Sequence, residues 1–98
     1  MSDLTIQLED GETKGRYMVV TPAGDVAEMT FSKVSGSDDI IIDHTGVPDV
    51  FRGQGVGLAL VTRAVEDARA KGGKILPLCP FAAAQFKRHP EWADVLRS

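Results

Sequence analysis

The sequence predicts an α+β domain: a mixed, mainly antiparallel twisted sheet with helices packed on it and one right-handed strand–helix–strand crossover. Three observations predict it. Alternating apolar and polar residues run in short segments from the N-terminus to about residue 47, the period of half-buried strands. Over residues 54–71 the period becomes that of a helix. After a Gly72-Gly73 stop, a second β-type run covers residues 74–79, so a strand, a helix and a strand succeed one another and should form a parallel pair.

In order, residues 3–9 predict a first strand with Leu4, Ile6 and Leu8 on a buried face. A polar turn with Gly11 leads to a second strand at residues 16–20, a hairpin partner of the first. Pro22 and Gly24 mark the next turn. Residues 26–34 alternate again, Ala27, Met29 and Phe31 on one side and Glu28, Thr30 and Ser32 on the other. After a turn at residues 35–39, residues 40–47 begin apolar on both faces, as expected of a central strand covered on both sides.

The helix presents Gly57, Leu60, Val61, Ala64, Val65 and Ala68 as one apolar stripe. Its opposite face, with Arg63, Glu66, Asp67, Arg69 and Lys71, is expected in solvent, Asp67 and Lys71 at a favourable four-residue spacing. Pro77 and Pro80 cannot donate ladder hydrogen bonds, so the last strand should splay from its parallel neighbour. A short helix over residues 81–89 and a turn carrying Trp92 and Leu96 complete the chain.

The 98 residues make one domain, residues 1–98, with a modest core. Composition is that of a soluble globular protein, and no apolar run is long enough to span a bilayer or to serve as a signal peptide. A net charge of −3 with scattered basic residues argues against nucleic acid as a partner. The lone Cys79 has no internal disulfide partner, so a reducing cytoplasm is expected. One cysteine and two histidines show no metal-ligand spacing, so no metal is expected.

The chain is organised around residues 43–57. Here a strand ends, Pro48 breaks it, and a glycine-rich loop opens the long helix. Backbone N–H groups collect at such a helix start and favour phosphate. Gly53, Gly55 and Gly57 let phosphate oxygens approach the main chain, and Arg52 adds positive charge. No Gly-Lys-Ser or Gly-Lys-Thr follows, which excludes a P-loop, and the third glycine comes one residue too early for the dinucleotide fingerprint.

Arg52-x-x-Gly55-x-Gly57 resembles the pyrophosphate loop of the GNAT superfamily of acetyl-CoA-dependent N-acetyltransferases. With His44-Thr45-x-Val47-Pro48, Pro77-x-Cys79-Pro80-Phe81 and His89-Pro90-Glu91-Trp92, the chain resembles the short YjdJ-like domains of that superfamily. The resemblance implies acetyl-CoA as acetyl donor, an amine or protein acceptor of unknown identity, and a pantetheine slot at the splayed strands. It places the cofactor at Val47, Arg52, Gly53, Gln54, Gly55, Val56 and Gly57, with Lys87 near the outer phosphates.

Strand periodicity puts His44 on the face of Ile40 and Ile42, with Asp43 pointing the other way. His44 is either a base or a hydrogen-bonded histidine at the rim of the core. Cys79 either faces the acetyl thioester or is a buried small hydrophobe. Many GNAT enzymes carry a general-acid tyrosine on the helix after the splayed strand; here Phe86 stands in that neighbourhood and the only tyrosine is Tyr17. Cys79 is then the remaining candidate acid, with Glu28 a further candidate base. The missing tyrosine leaves open a non-catalytic acyl-CoA-binding module. The oligomeric state is not legible.

Overall fold

The protein is described by a computed structural model covering residues 5–97. The strands are β1 (Gln7–Asp10), β2 (Lys14–Val20), β3 (Val26–Lys33), β4 (Ile40–Gly46) and β5 (Ile75–Pro77). The helices are α1 (Val56–Lys71) and α2 (Pro80–Arg88), with 3-10 turns at Asp49–Phe51 and Pro90–Val95. The strands form one five-stranded sheet in sequence order, antiparallel except for the β4–β5 pair. The predicted mixed sheet, with α1 crossing between two parallel strands, is therefore present. Of the first expected strand, Asp3 and Leu4 lie outside the described residues; Ile6 and Leu8 pack against the core.

Tyr17, Val19, Ala27, Met29, Phe31 and Ile42 form the sheet's buried face. The predicted stripe of α1 is buried against it in full, together with Val56. Ala82 and Phe86 of α2, and Trp92 and Val95 of the last turn, join the same cluster. Phe86 meets Trp92 edge-on, and His89 stacks on the indole at 4.2 Å between ring centroids. Arg69 of α1 clasps both carboxylate oxygens of Asp94 at 2.8 Å and so ties the last turn to the helix.

Two expectations about faces are corrected. The central strand is not covered on both sides: Ile42 is fully buried, but Ile40 and Ile41 are only half-buried. The outer face of the sheet carries polar side chains instead, among them Arg16, Glu28, Thr30 and Ser32. Asp67, expected in solvent beside Lys71, turns towards the sheet, where the buried Tyr17 hydroxyl donates to it at 2.7 Å. Its ion pair is with Arg63, four residues earlier, at 3.3 Å.

Both glycine-marked ends of α1 have a backbone reason. Gly55 at the N-cap and Gly72 at the C-cap adopt φ of 67° and 74°, the left-handed region that L side chains avoid. The helix therefore begins at Val56, two residues after the periodicity suggested.

Candidate active site

The parallel pairing of β4 and β5 is short. It covers Ile40–Ile75, Ile41–Leu76 and Ile42–Pro77 and then stops. The N–H groups of Leu78 and Cys79 both donate to the single carbonyl of Ile42, at 3.2 and 3.1 Å. Pro77 supplies no donor to continue the ladder. The chain then turns into α2, with Cys79 as its N-cap and Pro80 in its first turn. Meanwhile β4 continues through His44, Thr45 and Gly46, paired only with β3. Beyond Ile42 the edge of β4 that faces β5 is left without ladder partners, and a wedge opens between the two strands.

One irregularity in β4 decides what faces this wedge. Phe31 pairs with Ile42, but Thr30 pairs with His44, so Asp43 is an extra residue in the ladder. Such a bulge reverses the alternation beyond it. His44 thus shares the outer face with Thr30, and Thr45 shares the inner face with fully buried Met29. The expected placement of His44 on the face of Ile40 and Ile42 is corrected, because period-two reasoning assumes an uninterrupted strand. The imidazole is exposed and lies over Gly46, where an added Cβ would stand 3.3 Å from Nε2. Asp43 is also on the outer side and accepts a 2.7 Å hydrogen bond from the Ser32 hydroxyl.

Thr45, which sequence reasoning passed over, is the residue that meets Cys79. The Cys79 sulfur lies 3.4 Å from its hydroxyl oxygen, across the narrow end of the wedge. Cys79 is 5% exposed as a residue. Burial alone would raise the thiol's pKa, but the Thr45 hydroxyl and the N–H groups of Ala82, Phe81 and Thr45 together outweigh it. The net shift is downward. Only a bulge signal in the sequence would have found Thr45, and bulges without glycine leave none.

The loop from β4 to α1 borders the same end of the sheet. Val47 and Val50 are exposed, while Phe51 is buried and anchors the 3-10 turn. The Arg52 N–H donates to Asp49 and that of Gln54 to Phe51, which closes the turn. The chain then passes through Gly53 (φ 79°) and Gly55 (φ 67°), where an added Cβ would meet nothing within 4 Å. The first α-type bond of α1 runs from Ala59 to Gly55. The N–H groups of Val56, Gly57 and Leu58 thus open the helix without intrahelical acceptors. No side chain caps this end and no acidic residue lies in the first turn. It suits an anion by dipole and by donor geometry.

The predicted loop residues contribute unequally. Val56 is buried, so it offers the loop its backbone N–H rather than its side chain. Gly57 is buried too, and the space of its missing Cβ is taken by the Phe81 ring, 2.6 Å from where that carbon would be. The missing Cβ therefore makes room for the contact between α1 and α2. The Arg52 side chain is 80% exposed and its guanidinium reaches Asp49 at 3.2 Å. Lys87 is exposed in the last turn of α2, about 12 Å along the axis from Cys79 by helical rise.

Other hollows are distinct from the wedge. A cavity of about 190 Å³ lies by the start of β4, between the sheet and the C-terminal half of α1, with Tyr17, Phe31 and Asp67 in its lining. On the outer face, a shallow groove runs past Glu9, Arg16, Thr30, Ser32 and Asp43. Arg16 holds Glu9 and Glu28 there, each at 2.6 Å. Among the described residues, no group of three or more His, Cys, Asp or Glu side chains forms a metal site. No described helix is long and apolar enough to cross a membrane.

A mainly antiparallel sheet whose parallel pair parts beside an uncapped, glycine-rich helix start makes this an α+β fold with an open strand edge beside a candidate anion site. The profile of the family described as "GCN5-related N-acetyl-transferase" matches residues 16–95. A GCN5-like protein from Staphylococcus aureus, solved in solution by NMR, superposes with a TM-score of 0.72 at 35% sequence identity. The match covers 100% of this chain and 92% of that one. No curated protein matches the sequence. The chain belongs to the GCN5-related N-acetyl-transferase family, and its enzyme class is that of an N-acetyltransferase.

Proposed function

We propose that the protein transfers an acetyl group from acetyl-CoA to an amine held at an open acceptor site. The observation that carries this reading is the uncapped start of α1 beside the wedge. Donors for a pyrophosphate and a free strand edge for an extended arm adjoin one another there. The backbone at Gly53, Gly55, Val56 and Gly57 would hold the pyrophosphate, with Arg52 and Gln54 beside it and Val47 along the arm. Lys87 would meet the outer phosphates. The donor supplies an activated acyl carbon.

His44 and Cys79 then act from opposite faces. His44, on the outer face, takes a proton from the incoming amine. The amine nitrogen forms the new C–N bond as the C–S bond of the thioester breaks. Cys79, on the inner face, protonates the departing thiolate. The downward shift of its pKa favours release of that proton. Tyr17 is not available for this task, because its hydroxyl is bound to Asp67 at the far end of the sheet, and Phe86 has no proton to give. The acceptor face is the polar outer face, joined at β1–β2 by a connection of only residues 11–13, with no inserted helix. An extended substrate such as a protein side chain suits so open a surface better than a small free amine.

Calorimetric titration with CoA and acetyl-CoA, followed by an amine and peptide panel read by mass spectrometry, tests the reading. Cys79→Ala and His44→Ala should keep donor binding and lose transfer by about a hundredfold or more. Absence of binding by the parent protein overturns the proposal. Binding without transfer to any acceptor favours instead an acyl-CoA-binding module. A kinetically competent S-acetyl group on Cys79 replaces the acid role with a covalent one.

A further inference from the structure

We propose that Thr45 is a positioning residue for Cys79: its hydroxyl holds the sulfur at the narrow end of the wedge in both protonation states of the thiol. The proposal rests on the reading of Cys79 given above. It starts from the bulge at Asp43, without which Thr45 would point to the outer face and His44 to the inner one. With the bulge, Thr45 is aligned with buried Met29 on the inner face, and its hydroxyl lies 3.4 Å from Cys79. A β-branched residue in a strand has few side-chain rotamers, so the hydroxyl is held in place rather than searching for its partner.

The chemistry of a hydroxyl fits the task. A neutral thiol donates weakly to the threonine oxygen; once the thiol has lost its proton, the hydroxyl hydrogen rotates and donates to the thiolate. Neither heavy atom has to move. An acid that releases and regains one proton per turnover gains from a partner that is satisfied both before and after the transfer. The Thr45 N–H and the N–H groups of Phe81 and Ala82 act on the sulfur in the same direction, against burial. After burial, the influences on the thiol are thus uncharged groups from β4 and α2, while the titratable neighbours on β4, Asp43 and His44, lie on the other face.

The test uses the full chain and needs no donor molecule. Cys79 is the only thiol, and burial followed by the Asp67 hydrogen bond raises the ionisation of Tyr17, the only tyrosine, well above its ordinary range. Thiolate absorbance through the neutral and mildly alkaline range therefore reports Cys79 alone. Thr45→Val keeps the shape and removes the hydroxyl; its thiol should titrate roughly one pH unit higher than in the parent. Thr45→Ser keeps the hydroxyl and should stay near the parent. With saturating acetyl-CoA, Thr45→Val should lose roughly tenfold in kcat with unchanged donor affinity, and Thr45→Ser should recover most of it. An unshifted thiol in Thr45→Val overturns the proposal, as does a shifted thiol with an unchanged kcat. Failure of the parent to bind acetyl-CoA instead overturns the functional reading, so the two failures are told apart.

Discussion

The ring of Phe81 occupies the place a Cβ on Gly57 would take, with its nearest atom 2.6 Å from that position. This contact brings the start of α1 against the first turn of α2, so the uncapped end of one helix and the cysteine at the head of the other are held by one packing relationship.

Gly57→Ala tests it. Alanine gains about 1 kcal/mol of helix propensity over glycine, and displacing a ring costs roughly 1–3 kcal/mol. Phe81 is 38% exposed and can swing outward, which puts the cost at the low end. Net stability in urea should therefore change by no more than about 1 kcal/mol, while the Phe81 ring resonances move and donor affinity falls. A loss of several kcal/mol would mean that the ring is immobile and the helices must part. Phe81→Leu in the same chain should restore the affinity.

The loop separates backbone from side-chain effects. Gly55→Asp places a carboxylate at a left-handed position, at a cost of about 1–2 kcal/mol; the chain should still fold but lose acetyl-CoA binding. Arg52→Ala should weaken binding modestly and flatten its salt dependence. Asp49→Asn should do the opposite, because it releases Arg52 from an exposed pair worth at most about 1 kcal/mol. Equal affinities in Asp49→Asn and the parent would show that Arg52 plays no part.

Tyr17 gives an alkaline prediction. Burial first, and the hydrogen bond to Asp67 second, raise its pKa above the ordinary value of 10.0. The folded state holds this proton more tightly than the unfolded one. Its contribution is complete below pH about 10 and is lost as the pH climbs towards the folded-state pKa. Tyrosinate absorbance in the native protein should rise only above the range of a free tyrosine. Tyr17→Phe should cost about 1.5 kcal/mol in urea titration, the low end for a bond to a charged acceptor, because half-buried Asp67 keeps Arg63 and some water. A phenol that titrates at its ordinary pH would contradict the closure at this end of the sheet.

At the acid side, the Arg69 hydrogen bonds hold the Asp94 carboxyl below its usual pKa, and the hydrogen bond from His89 does the same for Glu91. Their contributions are present above the ordinary carboxylate pKa and are lost as the pH falls through the lowered values. Trp92, the only tryptophan, is buried between these contacts. Its emission should shift to longer wavelength below pH about 4, before the whole domain unfolds. Asp94→Asn should show part of that loosening at neutral pH, with faster amide exchange over Pro90–Val95. Exchange identical to the parent would show that the clasp contributes nothing.

Much of this protein is legible because it depends on local periodicity. The alternation of Ala27, Met29 and Phe31, the stripe from Leu60 to Ala68, and the glycines at both ends of α1 each express a repeat or a backbone angle that needs no distant partner. The departure of β5 from β4 was legible as well, since Pro77 lacks a ladder donor wherever the rest of the chain lies. Which residues face the wedge was decided elsewhere. The extra residue at Asp43 arises only when β4 is laid against β3, and it exchanges the faces of His44 and Thr45. Asp67 likewise chose the Tyr17 hydroxyl, 50 positions away in the chain, over its helical neighbour Lys71. Gly57 was readable as a glycine, but the ring of Phe81 that requires it comes from another helix. Register, face exchange and close approach between elements are properties of pairs of segments, so they are set only when the segments meet.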